Sequence, residues 1–88
     1  MKIELSSKFK RSFKKLASKR PDLAIITLEK VLLFSQDPHH PSLKFHKLKG
    51  ELKGVWSFSV EHDLRIIVDM FKANTAILDM IGTHDEVY

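Results

Sequence analysis

Two histidines and one arginine are the residues of this chain best suited to chemistry at a phosphodiester. His84 follows a Gly-Thr pair near the end of the sequence. An imidazole titrates near neutral pH, so it can take a proton from a 2′-hydroxyl or give one to a leaving 5′-oxygen. Arg65 lies between two apolar residues, and a guanidinium presents paired donors to a phosphate. His46 lies among lysines, which hold polyanions nearby.

Each of these residues also has an ordinary structural explanation, which the sequence alone leaves open. Arg65 can instead pair with a carboxylate, and Asp69 is on the same side of its strand at roughly 13 Å. A histidine in a polar segment is commonly just solvated. The histidines at positions 39, 40, 46, 62 and 84 match no metal-ligand spacing, so we expect neither a metal nor another cofactor.

Composition and charge narrow the class of protein. The chain has 88 residues, a net charge of +4 and no cysteine, which indicates one small domain over 1–88 without disulfides or a zinc ribbon. No apolar run is long enough to span a membrane and no signal peptide is evident, so we expect a cytoplasmic protein. Residues 1–20 hold eight Lys or Arg and one Glu, whereas residues 61–88 hold two against six acids. This asymmetry favours a phosphate-rich or acidic partner.

The first 36 residues predict a strand and two helices. Residues 2–5 alternate polar and apolar side chains, and Ser6 and Ser7 can cap a helix that runs to about residue 18. Pro21 can begin a second helix, which runs to about residue 35. Its predicted apolar face is broad and comprises Ala24, Ile25, Leu28, Val31 and Leu32, with Ile26, Leu33 and Phe34 adding to it.

The remainder predicts a loop and an antiparallel meander. Residues 36–54 read as an ordered loop with a short strand, and alternating segments over 55–60, 64–70 and 76–81 predict three strands followed by a tail. The fold class is therefore α+β with the order β-α-α-β-β-β, and the helical hairpin covers one face of the sheet. The other face is expected to stay open and to display Ser57, Ser59, Arg65 and Asp69.

Two motifs carry a family resemblance that extends over the whole chain. The run His46-Lys47-Leu48-Lys49-Gly50 continues to Gly54, and the chain closes with Gly82-Thr83-His84-Asp85-Glu86-Val87-Tyr88. With the strand pair between them, these motifs resemble the RelE/ParE superfamily of toxins from type II toxin–antitoxin systems. The closest resemblance is to the YafQ-like branch, whose pattern is roughly H-x-L-x-G-x-x-x-G followed by G-T-H-x-x-L-F.

The resemblance implies a small cytoplasmic toxin that cleaves mRNA on the ribosome without a metal and is inhibited by an antitoxin protein. The implied catalytic residues are His84, His46, Arg65, Asp63 and Tyr88. His84 is the acid or base and His46 its partner, Arg65 binds the phosphate, Asp63 orients an imidazole, and Tyr88 stacks on a base. The implied RNA-binding residues are Lys47, Lys49, Lys53 and His62.

Three positions depart from the pattern of this branch. Ser59 replaces a histidine, Leu64 a tryptophan and Met80 an arginine. Two further hypotheses therefore stay open: a ParE-like toxin that inhibits DNA gyrase without cleaving RNA, and a degenerate toxin that only binds its antitoxin. An antitoxin partner and the absence of a membrane are expected in every case.

Overall fold

The computed structural model describes residues 1–48 and 54–87, which fold around one mixed sheet. Its strand order is β1-β5-β4-β3-β2; β1 and β5 are parallel and the other neighbours are antiparallel. In chain order the elements are β1 (Lys2–Leu5), α1 (Ser7–Lys19), α2 (Pro21–Gln36), a 3-10 turn (Pro41–Leu43), β2 (His46–Lys47), β3 (Val55–Glu61), β4 (Leu64–Asp69), β5 (Thr75–Thr83) and α3 (His84–Val87). The predicted α+β fold is confirmed, with β2 as the short strand expected inside the loop.

The two long helices begin where the sequence predicts. Ser6 Oγ accepts a hydrogen bond from the Phe9 N–H at 2.9 Å, which satisfies a donor that the first turn of α1 leaves open. Arg20 ends α1, and Pro21 is the first residue of α2, where its missing N–H costs no helical hydrogen bond. A single residue therefore joins the helices.

Helix α1 lies along β5 beyond the point where β1 ends. The Ser6 N–H donates to the Leu78 carbonyl at 3.0 Å, and Ser6 Oγ donates to the Asp79 carbonyl at 2.9 Å. Ser12 Oγ accepts from the Ile81 N–H at 3.2 Å. These bonds satisfy the polar backbone at the edge of β5 and fix the C-terminal half of α1 beside the end of that strand.

The core fills the space between the helices and one face of the sheet. Phe34 of α2 stacks on Phe58 of β3 with ring centroids 4.4 Å apart, and both side chains are fully buried. Phe45 meets Phe34 edge-on at 5.0 Å and stacks on Trp56 at 4.6 Å. This aromatic cluster fixes α2 against the centre of the sheet.

The predicted packed face of α2 is wrong at three positions. Ile25, Leu28 and Leu32 are 61, 59 and 58% exposed, whereas Ala24 and Thr27 are buried. The helix is apolar on nearly all sides, so its pattern does not fix its rotation. The buried Thr27 hydroxyl donates to the Leu23 carbonyl at 2.7 Å, which lets a polar residue occupy a core position.

The expectation of an open sheet face is also wrong in part. Ser57 does lie on the face away from the helices, but it is fully buried, and Ile67 beside it is only 8% exposed. Gly82 on the same face is buried because α3 turns back over it. Residues 82–87, predicted as a tail, thus form the end of β5 and a short helix.

No helix within residues 1–48 and 54–87 has the length and apolar content that crossing a membrane requires.

Candidate active site

The position of Arg65 follows directly from the strand pairing of the sheet. It lies in β4 opposite Ser59 of β3 on one side and Gly82 of β5 on the other. Its neighbours Leu64 and Ile66 point into the core, so alternation puts the half-buried Arg65 on the face away from α1 and α2. The guanidinium is therefore presented from the middle of the sheet on a rigid strand.

His84 lies at the end of the strand beside Arg65. Thr83 pairs with Leu64 as the last residue of β5, and His84 is the first residue of α3. The imidazole is exposed, and its Nδ1 is 3.7 Å from an Asp85 carboxylate oxygen. The fold thus brings the predicted imidazole and guanidinium to the same end of two neighbouring strands.

Asp63 and His62 form the tight turn between β3 and β4 at that same end. Glu61 pairs with Leu64 across the turn, and both intervening side chains are exposed. His62 takes a left-handed backbone conformation with φ 41°, which closes so short a connection. Because Leu64 also pairs with Thr83, the turn lies next to the start of α3. Asp63 is therefore close in the fold to the segment that carries His84.

His46 lies farther away, on the edge strand β2. It pairs with Ser57, so it shares the face of Arg65, two strands across and two residues along. Standard sheet dimensions separate the two Cα atoms by about 12 Å. Its Nδ1 is 2.8 Å from the Lys44 carbonyl, which can only accept, so Nδ1 donates this hydrogen bond and Nε2 is the ring nitrogen left for other partners. A substrate that reaches both His46 and Arg65 must lie across the middle strands.

Of the predicted RNA-binding lysines, the structure describes Lys47, and it does not bring Lys47 together with this group. Lys47 pairs with Trp56, which places it on the opposite face from His46 at the exposed edge of the sheet. Lys49, Lys53 and the predicted catalytic Tyr88 lie outside the described residues.

The three departures from the family pattern occupy different environments. Leu64 is 7% exposed and belongs to the core. Ser59 pairs directly with Arg65, and Met80 pairs with Ile67 on the same face. Two of the three positions, Ser59 and Met80, therefore lie on the sheet face that displays Arg65.

A cavity of about 920 Å³ opens beside the β3–β4 turn. Its walls come from the C-terminal half of α1, the start of α2, the turn, the end of β5 and α3. Leu16 and Leu64 contribute apolar wall, and the charged and titratable lining residues are Lys15, Lys19, Arg20, Glu61, His62, Asp63 and Glu86. The cavity gives the His84 end of the sheet a concave border on the α1 side, in which cations of the helices face carboxylates of the turn and of α3.

Glu86 is a structural residue of this site that sequence reasoning missed. Its Oε1 accepts a hydrogen bond from the Thr83 N–H at 2.8 Å. These two residues flank His84 in the spacing of a helix capping box, T-x-x-E, and that motif could have revealed the short helix. The hydrogen bonds from Thr83, aided by Lys15 and Lys19 of α1, hold the pKa of Glu86 below its usual value.

Within residues 1–48 and 54–87, no three His, Asp or Glu side chains are grouped closely enough to hold a metal ion. The chemistry that the arrangement offers is acid–base chemistry by imidazole beside a guanidinium.

The chain is similar to a family of known proteins. No individual curated protein shows significant similarity to the chain. Among solved structures, YafQ from E. coli strain BL21(DE3) is 25% identical with a TM-score of 0.79, covering 98% of this chain and 96% of its own. A metal-bound toxin from Helicobacter pylori is 31% identical with a TM-score of 0.77, covering 100% and 99%.

A third similar structure is the E. coli DinJ–YafQ toxin–antitoxin complex, 27% identical with a TM-score of 0.71, covering 98% of this chain and 94% of its own. The family model described as "Bacterial toxin of type II toxin-antitoxin system, YafQ" matches residues 1–88. The fold, the Gly-Thr-His motif at the end of β5 and this full-length match agree, and the chain belongs to the YafQ family of type II toxins.

Proposed function

We propose that this toxin is an endoribonuclease that acts in the cytoplasm and cleaves mRNA on the ribosome. The observation that carries the proposal is the pairing of Arg65 with Gly82, two residues before His84. This register supports the proposal because it brings a guanidinium, which suits phosphate binding, and an imidazole, which suits proton transfer, to one end of the sheet. Membership of the YafQ family supports the same activity.

The reaction follows from the chemistry of these groups. A 2′-hydroxyl attacks the adjacent phosphorus, the P–O5′ bond breaks, and the products are a 2′,3′-cyclic phosphate and a free 5′-hydroxyl. One base accepts the proton of the 2′-hydroxyl and one acid protonates the leaving 5′-oxygen. We assign His84 to one of these steps and Arg65 to stabilisation of the charge that develops on the phosphate oxygens.

The remaining predicted residues have supporting roles in this proposal. His46 is the partner of His84 in proton transfer, through a substrate that lies across the middle strands. Asp63 orients an imidazole from the adjacent turn, and His62 contributes to RNA binding beside it. Tyr88 stacks on a base, and Lys47, Lys49 and Lys53 attract the RNA backbone.

The partner that we propose is an antitoxin with an acidic segment that folds as it binds. Helix α1 has no acidic residue, and its basic side chains are exposed: Lys8, Lys10, Arg11, Lys14, Lys15 and Lys19. Such a surface attracts an acidic chain and speeds its association. The E. coli complex of DinJ with YafQ supports an antitoxin as the partner. We expect a small acidic protein encoded next to this chain to co-purify with it and to restore growth.

Induced expression in a bacterial host tests the activity. We expect growth arrest and transcripts cut within their coding regions. We expect His84→Ala to reduce the cleavage rate by about 10²–10⁴-fold and Arg65→Ala by about 10²–10³-fold. His39→Gln is the matched control, because it changes an exposed loop histidine outside the proposed site. Full toxicity of both site variants would contradict the assignment of these residues.

The readout also separates the two other classes of toxin. A DNA-damage response with intact transcripts would identify a gyrase inhibitor and refute the nuclease. Normal growth and intact transcripts, with the antitoxin still bound, would identify a toxin that has lost its activity.

A further inference from the structure

The segment that carries His84 is held in place by its own neighbours. Thr83 and Glu86 form one half of a capping box, in which the Glu86 carboxylate accepts from the Thr83 N–H at 2.8 Å. The bond closes a ring around His84 and Asp85, so it fixes the direction in which the chain leaves β5. A helix of four residues forms only with such support, because isolated helical turns are unstable.

Gly82 allows this helix to pack directly onto the strand. A Cβ atom at position 82 would lie 3.1 Å from Glu86 Cβ and 3.2 Å from Val87 Cγ1, closer than these atoms normally approach. A methyl group at position 82 therefore requires Glu86 and Val87 to shift by a few tenths of an ångström relative to β5. Since Gly82 is also the residue opposite Arg65, the same close contact fixes α3 relative to the guanidinium.

Helix α1 adds a weaker electrostatic influence. Glu86, Lys15 and Lys19 line the same cavity beside the β3–β4 turn, and the positive charge of both lysines favours the ionised Glu86 carboxylate that accepts from Thr83. Helix α1 is itself bonded to the edge of β5 through Ser6 and Ser12, so this charge has a fixed place in the fold.

We propose that Glu86 is a positioning residue that holds His84 in its reactive orientation, with Gly82 providing the close packing that this requires. The proposal rests on the endoribonuclease function proposed above, in which His84 transfers a proton. Glu86 does not touch the RNA. It acts through the backbone of residues 83–86, and its loss leaves His84 present but poorly oriented.

Single-turnover cleavage of an mRNA on programmed ribosomes tests this role. At saturating toxin, we expect Glu86→Ala to lower the rate constant by about 10- to 100-fold, as misplacement of a catalytic group by an ångström does. The toxin concentration for half-maximal rate should stay unchanged, because RNA binding is not altered. Glu86→Gln should stay within about threefold of the wild type, because its amide oxygen can accept the same hydrogen bond.

The double variant separates positioning from general stability. If Glu86 acts through His84, adding Glu86→Ala to His84→Ala should cost no further rate, because the group that it orients is already gone. Gly82→Ala provides an independent disruption of the same packing and should reproduce the loss in Glu86→Ala. Glu29→Ala, which removes an exposed carboxylate on α2, is the matched control and should leave the rate unchanged.

The outcomes distinguish this proposal from the one on which it rests. Full activity of His84→Ala would refute the assigned chemistry. An inactive His84→Ala together with fully active Glu86→Ala would refute the positioning role alone. The role would also be refuted if Gln failed to rescue, or if Glu86→Ala cost the same factor with and without His84. Thermal unfolding of each variant checks that the sheet and core are intact.

Discussion

Arg65 lies directly opposite Gly82 in the antiparallel pairing of β4 with β5. Because Gly82 has no side chain, the guanidinium of Arg65 and the short helix α3 can occupy that part of the sheet surface. The pairing also sets the distance along the strand from Arg65 to His84 as two residues. The site is thus defined by strand register, which side-chain motion cannot change.

Replacement of Arg65 should reveal whether cleavage requires two hydrogen-bond donors at this position or only a positive charge. We expect Arg65→Ala to reduce cleavage by about 10²–10³-fold and Arg65→Lys to recover only part of that loss, because an ammonium cannot bind two phosphate oxygens as a guanidinium does. Single-turnover rates provide the measurement. Lys72→Ala, which removes an exposed cation 3.3 Å from a Glu4 carboxylate oxygen, is the control and should cleave normally. Equal rates for Lys and Arg would show that charge alone suffices.

The identity of the nucleophile can be tested on the substrate. We expect a single 2′-deoxy nucleotide on the 5′ side of the cut to abolish cleavage at that position and leave other sites unaffected, because the attacking hydroxyl is missing. The cleaved wild-type RNA should end in a 2′,3′-cyclic phosphate, which mass spectrometry detects. Continued cleavage of the deoxy substrate would mean that water, not the ribose, attacks the phosphate.

The orientation of α2 predicts that replacing two of its apolar residues will change the free energy of unfolding by very different amounts. Phe34→Ala should lower the free energy of unfolding by about 3–5 kcal/mol, because it removes a fully buried ring that stacks on Phe58. Leu28→Ala should change it by less than about 0.5 kcal/mol, because that side chain is 59% exposed. Urea unfolding of both variants measures the difference. A large loss from Leu28→Ala would mean that α2 packs with a different face.

The capping box should weaken in acid. The pKa of Glu86 is lowered in the folded protein, so its contribution is complete above the ordinary value of 4.5 and is lost as the pH falls below that value. Lys15 and Lys19 of α1, together with the adjacent His84 and Asp85, are other charged or titratable groups around it.

Amide hydrogen exchange at Thr83 is the measurement for this effect. We expect its protection to fall as the pH drops below the ordinary glutamate value of 4.5, while Glu86→Gln should show a much weaker dependence on pH in that acid range. Amides in the centre of β4 are the internal control, since they should remain protected. A Thr83 amide whose protection does not change with pH would show that the carboxylate is not its partner.

Local patterns in the sequence were sufficient to predict most of the fold. Alternation located β3 and β4, and Ser6 and Pro21 marked the helix starts because their side chains satisfy or avoid open backbone donors. The rotation of α2 could not be predicted, since Ile25 and Leu28 are as apolar as the residues that the core accepts. Only the aromatic cluster around Phe34 decides which side faces inward, and that cluster is formed by distant residues.

The candidate site was predictable only in part, because its geometry also depends on contacts between residues that are distant in the sequence. Residue types and family motifs identify Arg65 and His84, but their relation depends on the register between β4 and β5, which includes an irregularity near Ile67. Lys47 illustrates the limit: a shift of one residue along β2 decides between the two faces. The role of Glu86 depends on a backbone contact, which charge and composition do not indicate.

The position of β5 in the sheet has a consequence for the timing of synthesis. This strand lies between β1 and β4, and it accepts the hydrogen bonds of Ser6, yet it is formed by residues 75–83. While the ribosome is still making those residues, β1 and α1 lack the strand against which they pack. Strand β4 likewise lacks the neighbour that brings His84 close to Arg65. The pairing of β1 and the packing of α1 must therefore wait until residues 75–83 have been made, although both elements are among the first to be synthesised.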